Sequence, residues 1–196
     1  MVFQQMSSKT KKQIVIEEAA RLFRDKGYPA ASMSDLAKRV GLKQKSSLYN
    51  HIDSKEEALQ QICFESANKF IEGIEEIEQI SAGPKEKLRA LIGLHVRIAT
   101  NDVTSVTVFN DEWRHLTEHR LSEFLSLRKN YEDRFLRIIE QGIRQGVFKE
   151  VDAFLTLQTI LSALRWIYYY KKTDRQTASS TIENQIVRLL LEGLEK

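Results

Sequence analysis

Apolar residues recur along this chain at the spacing of one helix face after another. Val15, Ala19, Leu22 and Phe23 fall at i, i+4, i+7 and i+8 and predict a helix from about Ser8 to Lys26, ended by Gly27. Ser32-Met33-Ser34-Asp35 reads as a capping box that opens a two-turn helix, with Leu36, Ala37 and Val40 facing inward and Gly41 stopping it. A third short helix is expected over roughly Gln44 to His51, anchored by Leu48. Ser54-Lys55-Glu56-Glu57 is a second capping box, and a long helix follows through Leu59, Ile62, Phe70, Ile74 and Ile77. Beyond the break Ser81-Ala82-Gly83-Pro84, helices are expected near 85–100, 104–113, 118–145, 152–171 and 178–195. The β-branched run Val103 to Val108 weakens the second of these, and Asp152 is a candidate cap for the fourth.

The fold class that follows is all-α, with about nine helices. A three-helix head over residues 1–54 precedes a helical-bundle domain over 55–196, and no linker composition separates them. With 42% hydrophobic and 29% charged residues among 196, the chain can bury a sizeable core. No run of 18 apolar residues predicts a membrane span, and the polar first 13 residues show no signal-peptide core, so a cytoplasmic protein is expected. The single cysteine, Cys63, excludes an internal disulfide and a cysteine-based metal site.

The formal charge of +3 is unevenly spread. Residues 1–60 hold eleven Lys and Arg against seven Asp and Glu, whereas the rest carries a slight acidic excess. The basic surplus therefore lies on the segment whose short helices and Gly turn have the build of a helix-turn-helix, as phosphate binding requires. A recognition helix must hold its back with apolar residues and offer polar side chains to the major groove. Leu48 supplies the back. Lys43, Gln44, Lys45, Ser46, Ser47, Tyr49 and Asn50 supply the groove face, and His51 can donate to a phosphate. Lys55 lies in the first turn of a helix, where the dipole disfavours a cation unless an anion such as a DNA phosphate is shared with the free N–H groups.

At Ala19, Leu22, Phe23, Gly27, Tyr28, Ser32, Leu36, Ala37, Gly41, Leu48, Tyr49, His51, Ser54, Lys55, Glu56 and Leu59, the chain resembles the N-terminal domain of the tetracycline-repressor (TetR) family. Gly41 and Tyr49 are eight steps apart where the family usually has seven, and Ile52 replaces a common Phe. The resemblance implies a DNA-binding transcriptional regulator, a homodimer whose C-terminal domain binds a small molecule and so respaces two heads on a palindromic operator. Repression relieved by a hydrophobic or acyl-type ligand is the expected action. The stretch Phe109 to Arg114, with Arg128, Tyr131 and Phe135, resembles lipid- and acyl-CoA-responsive members.

The C-terminal half carries the parts this implies. Leu157, Leu161, Leu164 and Tyr168 form one stripe, and Ile182, Ile186, Leu189 and Leu190 form another; together they could build a four-helix dimer seam, or serve as internal core. Phe109, Trp113, Phe124, Arg128, Tyr131, Trp166 and Tyr169 are the candidate ligand-cavity residues. Arg128 lies on an apolar stripe and needs a partner, either a ligand's anionic head or an internal carboxylate such as Glu112. His115 and His119 have a helical spacing that could hold a metal, but no Cys and only scattered acids accompany them, so no metal, cofactor or catalytic residue is expected. The competing reading is a lipid-binding helical module, or an all-α enzyme, that uses the aromatic cavity. Against an enzyme stand the lack of a Gly-rich phosphate loop and of a Ser/His/Asp arrangement.

Overall fold

Thr10 starts the architecture. Its hydroxyl accepts from the Gln13 N–H at 3.2 Å while the Gln13 side chain accepts from Thr10 N–H at 2.8 Å, and this capping box opens α1 (Lys11–Lys26). The computed structural model describes residues 9–42, 45–170 and 177–195. Seven further α-helices follow among them: α2 (Met33–Arg39), α3 (Lys55–Gln79), α4 (Pro84–Asn101), α5 (Val103–Asp111), α6 (Glu118–Arg144), α7 (Ala153–Tyr170) and α8 (Ser179–Leu194). Two short 3-10 segments, Lys45–Asn50 and Trp113–His115, complete the order.

Most start signals act as their chemistry demands. Ser32 and Asp35 close a capping box on α2, with the Asp35 N–H donating to the Ser32 hydroxyl at 3.1 Å. Ser54 accepts from the Glu57 N–H, but the Glu57 carboxylate reaches back one residue further than a capping box requires, to the Asp53 N–H at 2.6 Å. Asp152 accepts from the Leu155 N–H at 2.7 Å as expected of a cap. The β-branched run after Asp102 does fold as a helix, because Asp102 caps it through the Ser105 N–H and Thr107 bonds back to the Val103 carbonyl. The expected third helix is instead the 3-10 segment, which takes three residues per turn.

Two apolar cores meet along α3. One gathers Phe23, Leu36, Leu48 and Ile52 with Leu59 and Ile62 of α3, and then takes in Val108, Leu116 and Phe124. The other joins Phe70, Ile74 and Ile77 of α3 to Leu88, Phe135, Phe148, Leu157, Ile167 and Leu191. The head is therefore packed on α5 and the start of α6 as well as on α3. The far end of α3 is tied to α6, where Arg134 bonds both carboxylate oxygens of Glu78 and reaches Glu75 at 2.8 Å. That pairing holds the Glu78 carboxyl below its usual range. No described helix is long and apolar enough to cross a membrane.

The stripes expected at a dimer seam are largely internal. Leu157, Leu164, Tyr168 and Ile182 are buried in the protomer's own core, and Leu161, Ile186 and Leu190 are packed against it. Only Leu189 stands out, 74% exposed. The outward face of α7 lies about 150° around, where Leu155, Thr159, Ser162, Trp166 and Tyr169 share one side at helical spacing.

Candidate functional site

The head presents a polar edge on an apolar anchor. Leu48 is fully buried and Ile52 nearly so, which fixes the 3-10 segment against Leu36 and Leu59. In a 3-10 coil residues i and i+3 eclipse. Ser46 therefore aligns with Tyr49, and Ser47 with Asn50. Ser46, Tyr49 and Asn50 are exposed, while Ser47 and His51 are half-buried. Lys43, Gln44 and the side chain of Lys45 lie outside the described residues.

Lys55 occupies a built position. Its ammonium donates to the Tyr28 and Ala31 carbonyls, each at 3.0 Å, and lies 4.2 Å from the centre of the Tyr28 ring. The cation that the helix dipole disfavours is thus compensated by two carbonyls and a ring face. The same tyrosine donates its hydroxyl to Glu56 at 3.2 Å and stacks on His115 at 5.3 Å. Burial and the Glu56 carboxylate push the Tyr28 phenol up, so it stays neutral. Arg24 of α1 reaches Thr104 of α5 at 2.8 Å.

A cavity of about 150 Å³ lies between α3, α4, α5, α6 and α7. Its apolar wall includes Phe70, Phe109, Trp113, Phe124, Leu161 and Leu164. Of these, Phe124 belongs to the head's core, and Phe109 and Trp113 pack against that core. The Phe109 and Phe124 rings meet edge-on at 5.5 Å, and Trp113 stacks on Phe124 at 6.0 Å. The Trp113 indole N–H is buried without a hydrogen-bond partner among the described residues. The exposed members of the lining, Arg128, Ser162 and Arg165, mark the mouth. Arg128 pairs with Glu132 at 2.9 Å rather than with Glu112, and its guanidinium lies 5.7 Å from the Trp113 ring. Arg165 donates to the Asn110 carbonyl at 3.0 Å and to the Tyr168 hydroxyl at 3.2 Å.

Five of the seven expected cavity residues, Phe109, Trp113, Phe124, Arg128 and Tyr131, line this space. Trp166 and Tyr169 do not; they are 52% and 47% exposed on the outer face of α7. The helical turn that aims Gln158, Leu161, Arg165 and Tyr168 at the cavity carries 166 and 169 away from it. Sequence reasoning missed Phe70, His95, Gln158, Ser162, Arg165 and Tyr168. For Arg165 a signal existed, because it follows Leu161 by four residues on the same stripe. His119 is exposed and His115 lies on Tyr28, and no cluster of metal-binding side chains exists among the described residues.

Residues 15–62 match the family model for bacterial regulatory proteins of the tetR family, and residues 81–194 match the model for a tetracyclin repressor-like C-terminal domain. Among curated relatives, the HTH-type transcriptional repressor KstR2 of Rhodococcus jostii is 26% identical over 186 residues, covering 92% of this chain and 89% of its own. The fatty acid metabolism regulator protein of Bacillus subtilis is 26% identical over 182 residues, covering 92% and 93%. Among solved structures, AibR in complex with isovaleryl coenzyme A and operator DNA superposes with a TM-score of 0.82 at 28% identity, covering 93% of this chain and 98% of that one. The capped head, the buried Leu48 anchor and the helical body with its aromatic cavity thus belong to a member of the tetracycline-repressor family of transcriptional regulators.

Proposed function

We propose that this protein is a cytoplasmic, non-catalytic repressor that acts as a homodimer on a palindromic operator. Its head, residues 1–54, reads DNA through the segment from Lys43 to His51, with Lys55 holding the loop that precedes α2. The body, residues 55–196, binds an effector whose hydrocarbon part enters the cavity and whose anionic part meets Arg128 and Arg165 at the mouth. A coenzyme A thioester has that polarity, and the complex of AibR carries one.

One observation supports the reading above others: the aromatic wall of the cavity, Phe109, Trp113 and Phe124, is also the packing surface of the head. An occupant that shifts this wall alters the head's seat. The effector then favours a conformation whose two heads no longer match successive major grooves, and it acts only through its differential affinity for the two states.

The test has two parts. DNA selected from a random pool by the protein should be palindromic, and log affinity should fall linearly with log salt. Short-chain coenzyme A thioesters should then weaken binding to that DNA at least tenfold. Lack of preference for any palindrome would overturn the DNA reading. Unchanged affinity under saturating thioester would overturn the effector reading.

A further inference from the structure

A polar pair sits inside the apolar end of the cavity. His95 of α4 and Tyr131 of α6 both line it, and His95 Nε2 lies 2.7 Å from the Tyr131 hydroxyl. Their neighbours are aromatic: Phe70 lies 4.8 Å and Phe135 6.4 Å from the imidazole. His95 is half-buried by surface yet sits in the core, because what it is exposed to is the cavity itself. Burial pushes its imidazole down to about 3, and burial also raises the Tyr131 phenol. Both groups are therefore neutral at any physiological pH.

A neutral histidine–tyrosine pair is a particular kind of recognition element. A phenol offers one donor and two acceptor positions, and neutral imidazole has one nitrogen of each kind. The bond between them uses one donor and one acceptor. Among the described residues the Tyr131 hydroxyl has no other hydrogen-bond partner. If Nε2 donates, the tyrosine O–H is left for an acceptor; if Nε2 accepts, the tyrosine oxygen is left for a donor. The pair can thus meet a carbonyl or a hydroxyl, but it offers no charge to a carboxylate. A purely alkyl occupant would strip water from this residual capacity and return nothing, at a cost.

Resting on the reading of this cavity as an effector site, we infer that the effector's buried part carries a neutral oxygen, a carbonyl or hydroxyl, that hydrogen-bonds the His95–Tyr131 pair. Arg128, one helical turn away from Tyr131 on α6, stands at the mouth through which the acyl group enters. The cavity volume, about 150 Å³, matches a space that holds a six-carbon ring. The effector body is accordingly compact, an oxygen-bearing short acyl group and not a long saturated chain.

The probes are hexanoyl-CoA, 5-oxohexanoyl-CoA and 5-hydroxyhexanoyl-CoA, with calorimetric Kd values on the full chain. The wild type should bind the two oxygenated probes about tenfold more tightly than hexanoyl-CoA, the scale of one buried hydrogen bond. In Tyr131→Phe the preference should shrink, and in His95→Leu/Tyr131→Phe it should vanish or reverse. Equal binding of all three by the wild type, or a preference unchanged in the double variant, overturns the inference. The wild-type comparison stands even where a variant fails to fold. Tight binding of hexanoyl-CoA with exclusion of the oxygenated probes overturns the inference and keeps the effector class. Failure of these probes and of every other acyl-CoA overturns both.

Discussion

Single residues show how sharply local chemistry depends on its neighbour. Gly142 looks like a mild flaw inside α6, and in isolation Ala there would gain about 1 kcal/mol of helix propensity. The structure reverses that expectation. A Cβ at 142 would fall within the van der Waals envelope of the Phe148 ring, which is fully buried after the turn at Gly146 (φ 70°). Overpacking costs about 1–3 kcal/mol and exceeds the propensity gain. Gly142→Ala should therefore lower the midpoint of thermal unfolding by a few degrees, and adding Phe148→Leu should restore part of the loss. A rise in the midpoint would show that the ring moves aside freely. Arg128 gives a similar lesson. Its need for an anionic partner was legible from its place on an apolar stripe, but the carboxylate it meets, Glu132 and not Glu112, is set by i,i+4 adjacency on its own helix.

At the scale of elements, the cavity and the head are joined in two ways. The first is the continuous helix α3, which runs from the head's core into the body's and whose far end is pinned to α6 by Arg134 with Glu75 and Glu78. The second is α5 with the Trp113–His115 segment, which shares its aromatic residues with the cavity and touches the head through Arg24–Thr104 and Tyr28–His115. Contacts of this kind carry about 0.5–2 kcal/mol of coupling. Thr104→Val should leave effector affinity for the DNA-free protein nearly unchanged. It should reduce, by about fivefold, the factor by which effector weakens operator binding, read from paired titrations with and without DNA. By linkage the same factor must appear in the effector's own affinity with DNA present. An unchanged factor would assign the coupling to α3 alone.

For the whole molecule, the surface left over by packing matters most. Leu155 (63% exposed), Trp166, Tyr169 and Leu189 stand outside the core on α7 and α8, and Leu155 and Leu189 line a groove between those helices. This outer face is open to a second copy, whereas Leu157, Leu164, Tyr168 and Ile182 are buried. Leu155→Glu/Leu189→Glu should yield a monomer with unchanged helical content that loses most of its affinity for the palindrome but not for a half-site. Sedimentation velocity and DNA titration would check this. A dimer that persists would move the seam elsewhere.

The sequence by itself determined the all-α class, the capped starts of α2, α3 and α7, the glycine stops and the apolar back of the Lys45–Asn50 segment. These depend on residues within a few positions of one another, where spacing alone sets hydrogen bonds and faces. It also placed aromatic residues near a cavity, because a helical stripe shows which residues share a side. Only the tertiary structure decided which stripe of α7 faces inward and which is left exposed, since two faces on α7 look alike until α4, α6 and α8 cover one of them. It alone joined Lys55 to Tyr28, His115 to the head and His95 to Tyr131. Those pairs are 27, 87 and 36 residues apart in the chain, beyond the reach of any local pattern.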